Sequence, residues 1–156
     1  KHGANRTGRP FTGDYAGQLL YATLAKFGLS EGEFAADRGD GLRLNGAVIL
    51  NAVKCLPPQN KPEPGEIAQC RPFLEASLAA LLGVRVIIAL GQIAHVAAAR
   101  ALGLKPSETK FAHGAEHRAR AVTLLSSYHC SRYNQNTRRL DAAMFERVFE
   151  QAMQVK

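Results

Sequence analysis

Three short apolar runs rich in β-branched residues constrain the possible fold of this chain more than any other feature. They are Ala47–Val53, Val84–Leu90 and Ala121–Leu125, and such runs are typical of strands buried on both faces. Helix-like segments alternate with them, and these end at glycines or begin behind a capping aspartate: Tyr15–Phe27, Glu66–Leu82, Gln92–Leu102 and Asp141–Met153. The alternation predicts an α/β fold, a three-layer α/β/α sandwich with a short central, mostly parallel sheet.

The length of 156 residues suits a single domain, which we expect to span residues 1–156. Residues 1–14 form a glycine-rich loop of the kind that normally follows a strand, and no strand-like run precedes it. We therefore expect the numbered chain to start inside its domain, without an amino-terminal strand. Three cysteines, an odd number, argue against a secreted disulfide framework and for a reducing interior. No apolar run approaches the about 20 residues that cross a bilayer, so we expect no membrane partner.

The net charge of +7 is concentrated in two segments. Residues 1–10 contain three Lys or Arg and no acid, and residues 105–139 contain seven Lys or Arg against two acids. Joined by folding, the two segments would form one basic face, which favours a polyanion such as nucleic acid. A charge that only keeps the surface soluble is the alternative interpretation.

A proline-rich loop separates two cysteines, Cys55 and Cys70. Prolines remove backbone donors and fix φ, so this segment can form neither a sheet nor a helix and needs no disulfide to shape it. Its length also exceeds that of a CxxC motif, so the thiols indicate another task. Two unrelated buried thiols are the alternative.

Polar and aromatic residues suited to chemistry lie in four loop segments. In α/β folds, functional groups gather beyond the carboxyl ends of the strands. The segments are the glycine-rich stretch with Phe11 and Asp14, the residues around Asn51, the proline-rich loop, and the basic, amide-rich segment that begins at His129.

The sequences of these segments resemble the uracil-DNA glycosylase superfamily, and within it the family 5 (type b) iron–sulfur enzymes of bacteria and archaea. The ordered motifs are NRTGRPFTGDYAG, NAVKCLPPQNKPEPGEIAQCRPFL, VIIALGQIAH and SYHCSRYNQNTRRL. The resemblance implies a monofunctional DNA repair enzyme that flips uracil out of double-stranded DNA, hydrolyses its bond to deoxyribose and leaves an abasic site. It also implies tolerance for other deaminated bases such as hypoxanthine, and a monomer that works in the cytoplasm, at the nucleoid.

The resemblance also assigns roles in the base pocket. Phe11 matches the aromatic ring that stacks on the flipped base, and Asn51 matches the amide that reads the uracil edge. His129 matches the donor to O2 of the leaving base. Asp14 matches the carboxylate that orients or deprotonates water, or that steadies the positive sugar, although the sequence supports it equally as a helix N-cap. Asn5 is a second candidate for positioning water. Without the resemblance, a core Phe, a turn Asn and a satisfied core His would be the ordinary interpretations.

The segment after His129 matches the part of the family that enters the minor groove as the base flips. The residues expected to contact phosphates or to fill the gap left by the base are Arg132, Tyr133, Asn134, Arg138 and Arg139. Many relatives have Pro where this chain has Cys130, a difference that could loosen the turn. A solvated basic loop is the alternative.

In the family that this chain resembles, Cys55 and Cys70 match the third and fourth ligands of a structural [4Fe–4S] cluster. The other two ligands come from an amino-terminal CxxC motif, which is absent from this sequence. Two thiolates cannot by themselves hold a cluster of the usual four-cysteine type.

Three alternative functions differ in class. A cysteine hydrolase using His129 and Cys130 is disfavoured, because adjacent residues on extended backbone point to opposite sides. A nucleotide-binding domain would need a GxxxxGK[ST] or GxGxxG motif, and neither is present. A catalytically weak or inactive damaged-DNA-binding module of the same fold remains open.

Overall fold

The computed structural model describes residues 7–54, 62–105 and 107–155. Its helices and strands are, in chain order, α1 (Tyr15–Lys26), β1 (Ser30–Glu31), β2 (Arg43–Leu44), α2 (Pro64–Ala80), β3 (Val86–Leu90), α3 (Gln92–Ala101), β4 (Glu116–Ala119), β5 (Val122–Ser127), α4 (Arg132–Asn136) and α5 (Ala142–Gln154). The chain divides into two compact units. The first is formed by residues 1–50 and 130–149, and the second by residues 51–129 and 150–156.

A three-stranded sheet of order β3-β5-β4 organises the second unit. β3 and β5 are parallel, with Leu90 opposite Ser127, whereas β4 pairs antiparallel with β5 through a short hairpin. α3 packs against β3 and β5, and α2 packs against α3. The buried core between sheet and helix consists of small and aliphatic side chains, namely Ala89, Ala98, Ala99 and Leu124. Small residues on α3 let the helix approach the sheet closely.

In the first unit, α1 and the start of α5 bury their apolar faces. Phe145, Val148 and Phe149 are buried on α5, as are Leu20 and Leu24 on α1. The Phe27 and Phe149 rings stack with their centroids 5.8 Å apart. The two-residue strands β1 and β2 pair antiparallel beside α1.

The α/β class is confirmed, and so are the strands expected at Val84–Leu90 and Ala121–Leu125, within two residues at each end. The strand expected over Ala47–Val53 is wrong: the segment is irregular, and Val48 is 60% exposed. A strand forms only where a neighbour completes its hydrogen-bond ladder, and an apolar run does not reveal that neighbour. Among the described residues, no helix is both long and apolar enough to cross a membrane.

Candidate active site

The loop that precedes α1 is organised by the guanidinium of Arg9. It donates to both carboxylate oxygens of Asp40 (2.8 and 2.7 Å) and, through Nε, to Thr12 Oγ1 (2.7 Å). It also lies over the Tyr21 and Phe34 rings, 5.4 and 5.7 Å from their centroids. The Asp40 side chain is only 1% exposed, and the hydrogen bonds from Arg9 hold the pKa of its carboxyl well below the usual range. A fork of parallel charged hydrogen bonds fixes geometry, so this network gives the loop one conformation.

Phe11 lies at the tip of this loop with backbone φ of +57° and a half-buried side chain. Left-handed backbone is uncommon for a bulky residue, so neighbouring contacts must impose it. The Tyr21 hydroxyl donates to Pro10 O at 2.7 Å, and Thr7 Oγ1 donates to Thr12 O at 3.1 Å. α1 also approaches the loop closely, because a Cβ built at Gly17 would lie 1.8 Å from Phe11 O. The aromatic ring is therefore presented by a tightly determined backbone.

Asp14 caps the amino terminus of α1. Its Oδ1 accepts from Gly17 N at 3.1 Å, and the side chain is exposed. The N-cap interpretation of Asp14 is therefore confirmed. The cap uses one carboxylate oxygen, so the geometry leaves the other oxygen for a second task.

The basic segment after β5 begins with a short helix, α4. Ser131 caps it, and the Gln135 amide donates to Cys130 O at 2.7 Å. The Arg132 guanidinium lies 5.5 Å from the Tyr15 ring centroid, which brings the basic segment to the start of α1 within the first unit. The remaining residues predicted to contact DNA are Tyr133 (71% exposed), half-buried Asn134, and exposed Arg138 and Arg139.

Cys130 is fully buried, and burial raises the pKa of its thiol to about 12. The nearby Asp14 carboxylate adds a smaller effect in the same direction. The thiol is therefore protonated at neutral pH and unsuited to act as a nucleophile, which removes the cysteine hydrolase alternative.

In the second unit, His129 follows the carboxyl end of β5 and is half-buried. Its Cβ packs against Gly91, where an added Cβ would lie 3.3 Å away. Gly91 has φ of +95° and starts α3, and its N–H donates to Ser127 O at 2.8 Å. The Gly91 turn thus makes room for His129 beyond the carboxyl ends of β3 and β5, where such folds bind ligands. Asn51 belongs to the same unit, in the irregular segment after residue 50, and is exposed.

Cys70 is buried on α2, whereas Asn5 and Cys55 lie outside the described residues. Over residues 7–54, 62–105 and 107–155, no group of three or more His, Cys, Asp or Glu side chains could hold a metal ion. A four-cysteine cluster needs four thiolates, and the chain has three cysteines. The side chains of this chain therefore do not fit a [4Fe–4S] cluster by themselves.

The predicted residues are divided between the two units. Phe11, Asp14 and Arg132 belong to the first unit, and Asn51 and His129 to the second. Sequence reasoning missed the supporting residues, because Arg9 and Asp40 are 31 positions apart and no motif links them. The close approach at Gly17 had a signal in the PFTGDYAG motif, where a glycine occupies the first turn of a predicted helix.

Comparison with known proteins identifies the family. A family model described as the uracil DNA glycosylase superfamily matches residues 1–152. The chain belongs to the uracil-DNA glycosylase superfamily. A type-5 uracil-DNA glycosylase of Thermus thermophilus is 46% identical over 152 residues, which are 97% of this chain and 69% of the relative. The corresponding protein of Mycobacterium tuberculosis is 42% identical over 154 residues, covering 97% and 58%.

An archaeal type-5 uracil-DNA glycosylase, from Pyrobaculum aerophilum, is 38% identical over 151 residues, covering 97% of this chain and 66% of the relative. The superfamily resemblance, including its type-5 character, is thereby confirmed. The chain spans between 58% and 69% of the length of these curated relatives.

Proposed function

We propose that this chain is the catalytic domain of a uracil-DNA glycosylase. It hydrolyses the bond between uracil, or another deaminated base such as hypoxanthine, and deoxyribose in double-stranded DNA. The observation that carries the proposal is the 46% identity, over 97% of this chain, to a relative named type-5 uracil-DNA glycosylase. We further propose that it works as a monomer at the nucleoid of a bacterial or archaeal cytoplasm.

Phe11 and Asn51 recognise the flipped base in this proposal. Stacking on the Phe11 ring contributes about 1–3 kcal/mol and does not depend on which base is bound. The Asn51 amide supplies a donor for O4 and an acceptor for N3–H of uracil. Cytosine reverses both groups, and each unpaired buried polar group costs about 1–3 kcal/mol. The rigid loop around Arg9 supports this role, because a fixed ring loses little entropy when a base binds.

His129 and Asp14 carry the chemistry in this proposal. The N-glycosidic bond breaks with its electron pair on the base, leaving an anion on uracil and a cation on the sugar. An N–H of His129 donates to O2 of the leaving uracil. The oxygen of a water molecule bonds to C1′, and its proton passes to the free oxygen of Asp14. The carboxylate oxygen not used by the N-cap supports the assignment of Asp14, and Asn5 assists in placing the water.

The basic segment binds the DNA backbone in this proposal. Arg132, Arg138 and Arg139 contact phosphates, and exposed Tyr133, with Asn134, fills the space left by the flipped base. The cation–π contact of Arg132 supports this arrangement, since it orients the start of the segment.

Cys55 and Cys70 would serve as two ligands of a structural [4Fe–4S] cluster, which requires two further thiolates that this sequence does not contain. The burial of Cys70 on α2 supports its part in such a site. Iron and sulfide analysis of wild type and Cys70→Ser tests the assignment independently of activity. Iron and sulfide that the wild type binds and that Cys70→Ser retains in full would contradict it.

The test of the proposed activity uses duplexes that carry uracil opposite G or A, hypoxanthine opposite T, or an ordinary T·A pair. Alkali cleaves the abasic sites formed, and the wild-type protein is expected to cut the first three duplexes and spare the last. His129→Ala should slow excision, whereas His117→Ala, on β4, serves as the matched histidine control. DNA that is bound but never cut would overturn the enzyme proposal and favour the damage-binding module.

A further inference from the structure

The end of β5, from which His129 projects, is held from two sides. On one side Leu90 of β3 lies opposite Ser127, and Gly91 N donates to Ser127 O at 2.8 Å. On the other side the ladder with β4 extends one bond past the strand, where Ser126 N donates to Ala115 O at 3.0 Å. Tyr128 and His129 come next, and their placement depends on what continues this ladder.

A side chain continues the ladder at Tyr128. The register that puts Glu116 opposite Leu125 would place His113 opposite Tyr128. The backbone departs from that register at Gly114, whose φ is +77° and whose N–H donates to Ser126 O at 2.7 Å. The Tyr128 amide donates instead to Nδ1 of the His113 imidazole, at 3.2 Å. The imidazole thus replaces the carbonyl that a regular strand would supply.

The same imidazole also contacts the Tyr128 ring. The two rings stack with their centroids 5.1 Å apart and their planes 24° apart, and the Phe111 ring approaches Tyr128 edge-on at 6.1 Å. His113 therefore contacts both the backbone and the side chain of the residue next to His129. A shift of His113 would therefore displace Tyr128 and, with it, the backbone from which His129 extends.

The hydrogen bond fixes the tautomer of His113. A backbone N–H can only donate, so Nδ1 must accept and carry no proton. A neutral His113 then has its proton on Nε2. This assignment can be measured without any activity assay.

We propose that His113 is a positioning residue for His129: its Nδ1 holds the Tyr128 amide and so fixes the point from which the His129 imidazole reaches the leaving base. The inference rests on the proposed function, in which His129 stabilises the departing uracil. A displacement of about 1 Å at a catalytic group can cost about 100-fold in rate, so a single hydrogen bond beside His129 can matter for turnover.

The decisive comparison is between His113→Asn and His113→Gln. Asparagine places Oδ1 where Nδ1 of histidine lies and can accept from Tyr128, whereas glutamine places its amide one methylene further out. Both variants lose the stacked ring, so their difference reports where the acceptor lies relative to the Tyr128 N–H and to Ser127 Oγ, which is 3.4 Å from Nδ1 in the wild type. We expect single-turnover excision by His113→Asn to stay within about threefold of wild type and that of His113→Gln to fall about tenfold, with unchanged affinity for DNA. In His113→Asn the new asparagine precedes Gly114, and an Asn-Gly sequence can deamidate, so the intact mass of this variant is checked.

Nitrogen-15 NMR of the wild-type imidazoles supplies the second measurement, and it remains valid if His113→Gln fails to fold. His113 is expected as the Nε2–H tautomer with an unprotonated Nδ1, and a proton on Nδ1 would overturn the inference. Equal single-turnover excision rates for His113→Gln and an active wild type would also overturn the inference. A wild-type protein that excises no uracil would instead overturn the proposed function, so the two failures are distinguishable.

Discussion

Gly17→Ala is the substitution for which the structure gives the sharpest expectation. Gly17 is buried in the first turn of α1, and an added Cβ would lie 1.8 Å from Phe11 O and 3.0 Å from Phe34 Cζ. Ordinary contact begins at 3.4 Å, so the methyl group and the Phe11 carbonyl would have to separate by about 1.6 Å. The Phe11 loop cannot yield easily, because Arg9 ties it to Asp40.

The expected magnitude combines two opposing effects. Overpacking costs about 3 kcal/mol at a site this tight, and replacing a helical glycine by alanine returns up to about 1 kcal/mol. The free energy of unfolding should therefore fall by about 2 kcal/mol, which lowers Tm by about 4–8 °C for a chain of this size. Displacing Phe11 by more than about 1 Å should also lower uracil excision by about 100-fold.

Gly65→Ala is the matched control. Gly65 also lies in the first turn of a helix, α2, but it is exposed and an added Cβ would meet nothing within 4 Å. Its Tm should stay level or rise by about 1–4 °C. Thermal unfolding and single-turnover excision of both variants test the reasoning. A Gly17→Ala protein as stable and as active as Gly65→Ala would refute it.

Three further predictions follow from the described contacts. Asp14→Asn should keep the N-cap and the stability of the protein but lose uracil excision. Asp14→Ala should lose excision and also about 1 kcal/mol of unfolding free energy. Retained excision by Asp14→Asn would show that Asp14 takes no part in the chemistry. Burial raises the pKa of Cys130 from 9.0 to about 12, so its stabilising contribution is complete below pH 9 and lost as the pH rises through 12. The stability gap between wild type and Cys130→Ala should therefore shrink over that interval in urea unfolding, and a constant gap would contradict the assignment. Arg138→Ala should weaken binding to all duplexes and reduce the slope of log K against log salt by about 1. Arg147→Ala, on the exposed face of α5, is the control and should change neither. Equal slopes for Arg138→Ala and wild type would show that Arg138 contacts no phosphate.

The regular elements could be predicted where the local pattern was strong. The helix from Tyr15 followed from its apolar spacing and a capping aspartate, and β3 and β5 followed from their continuous apolar runs. β4 was missed because Glu116, His117 and Arg118 are polar, as befits an edge strand. β4 is a strand because it pairs with β5, which the local sequence does not reveal. The apolar run at residues 47–53 forms no strand, although its local pattern favours one.

The supporting residues of the candidate site could not be predicted from the sequence, because they too depend on long-range contacts. The Arg9–Asp40 pair and the His113–Tyr128 bond join segments whose proximity is set by tertiary folding. The motif residues could be recognised one by one, since each lies in a loop next to a predicted helix or strand. What holds those residues in place became visible only in three dimensions.

A crystal structure of the complex with a duplex that contains an uncleavable uracil nucleotide tests the central claim most directly. The account predicts a flipped uracil that stacks on Phe11, pairs its O4 and N3–H with the Asn51 amide, and accepts a hydrogen bond at O2 from His129 within about 3.2 Å. A uracil that remains stacked in the helix, or that binds away from these three side chains, would contradict it.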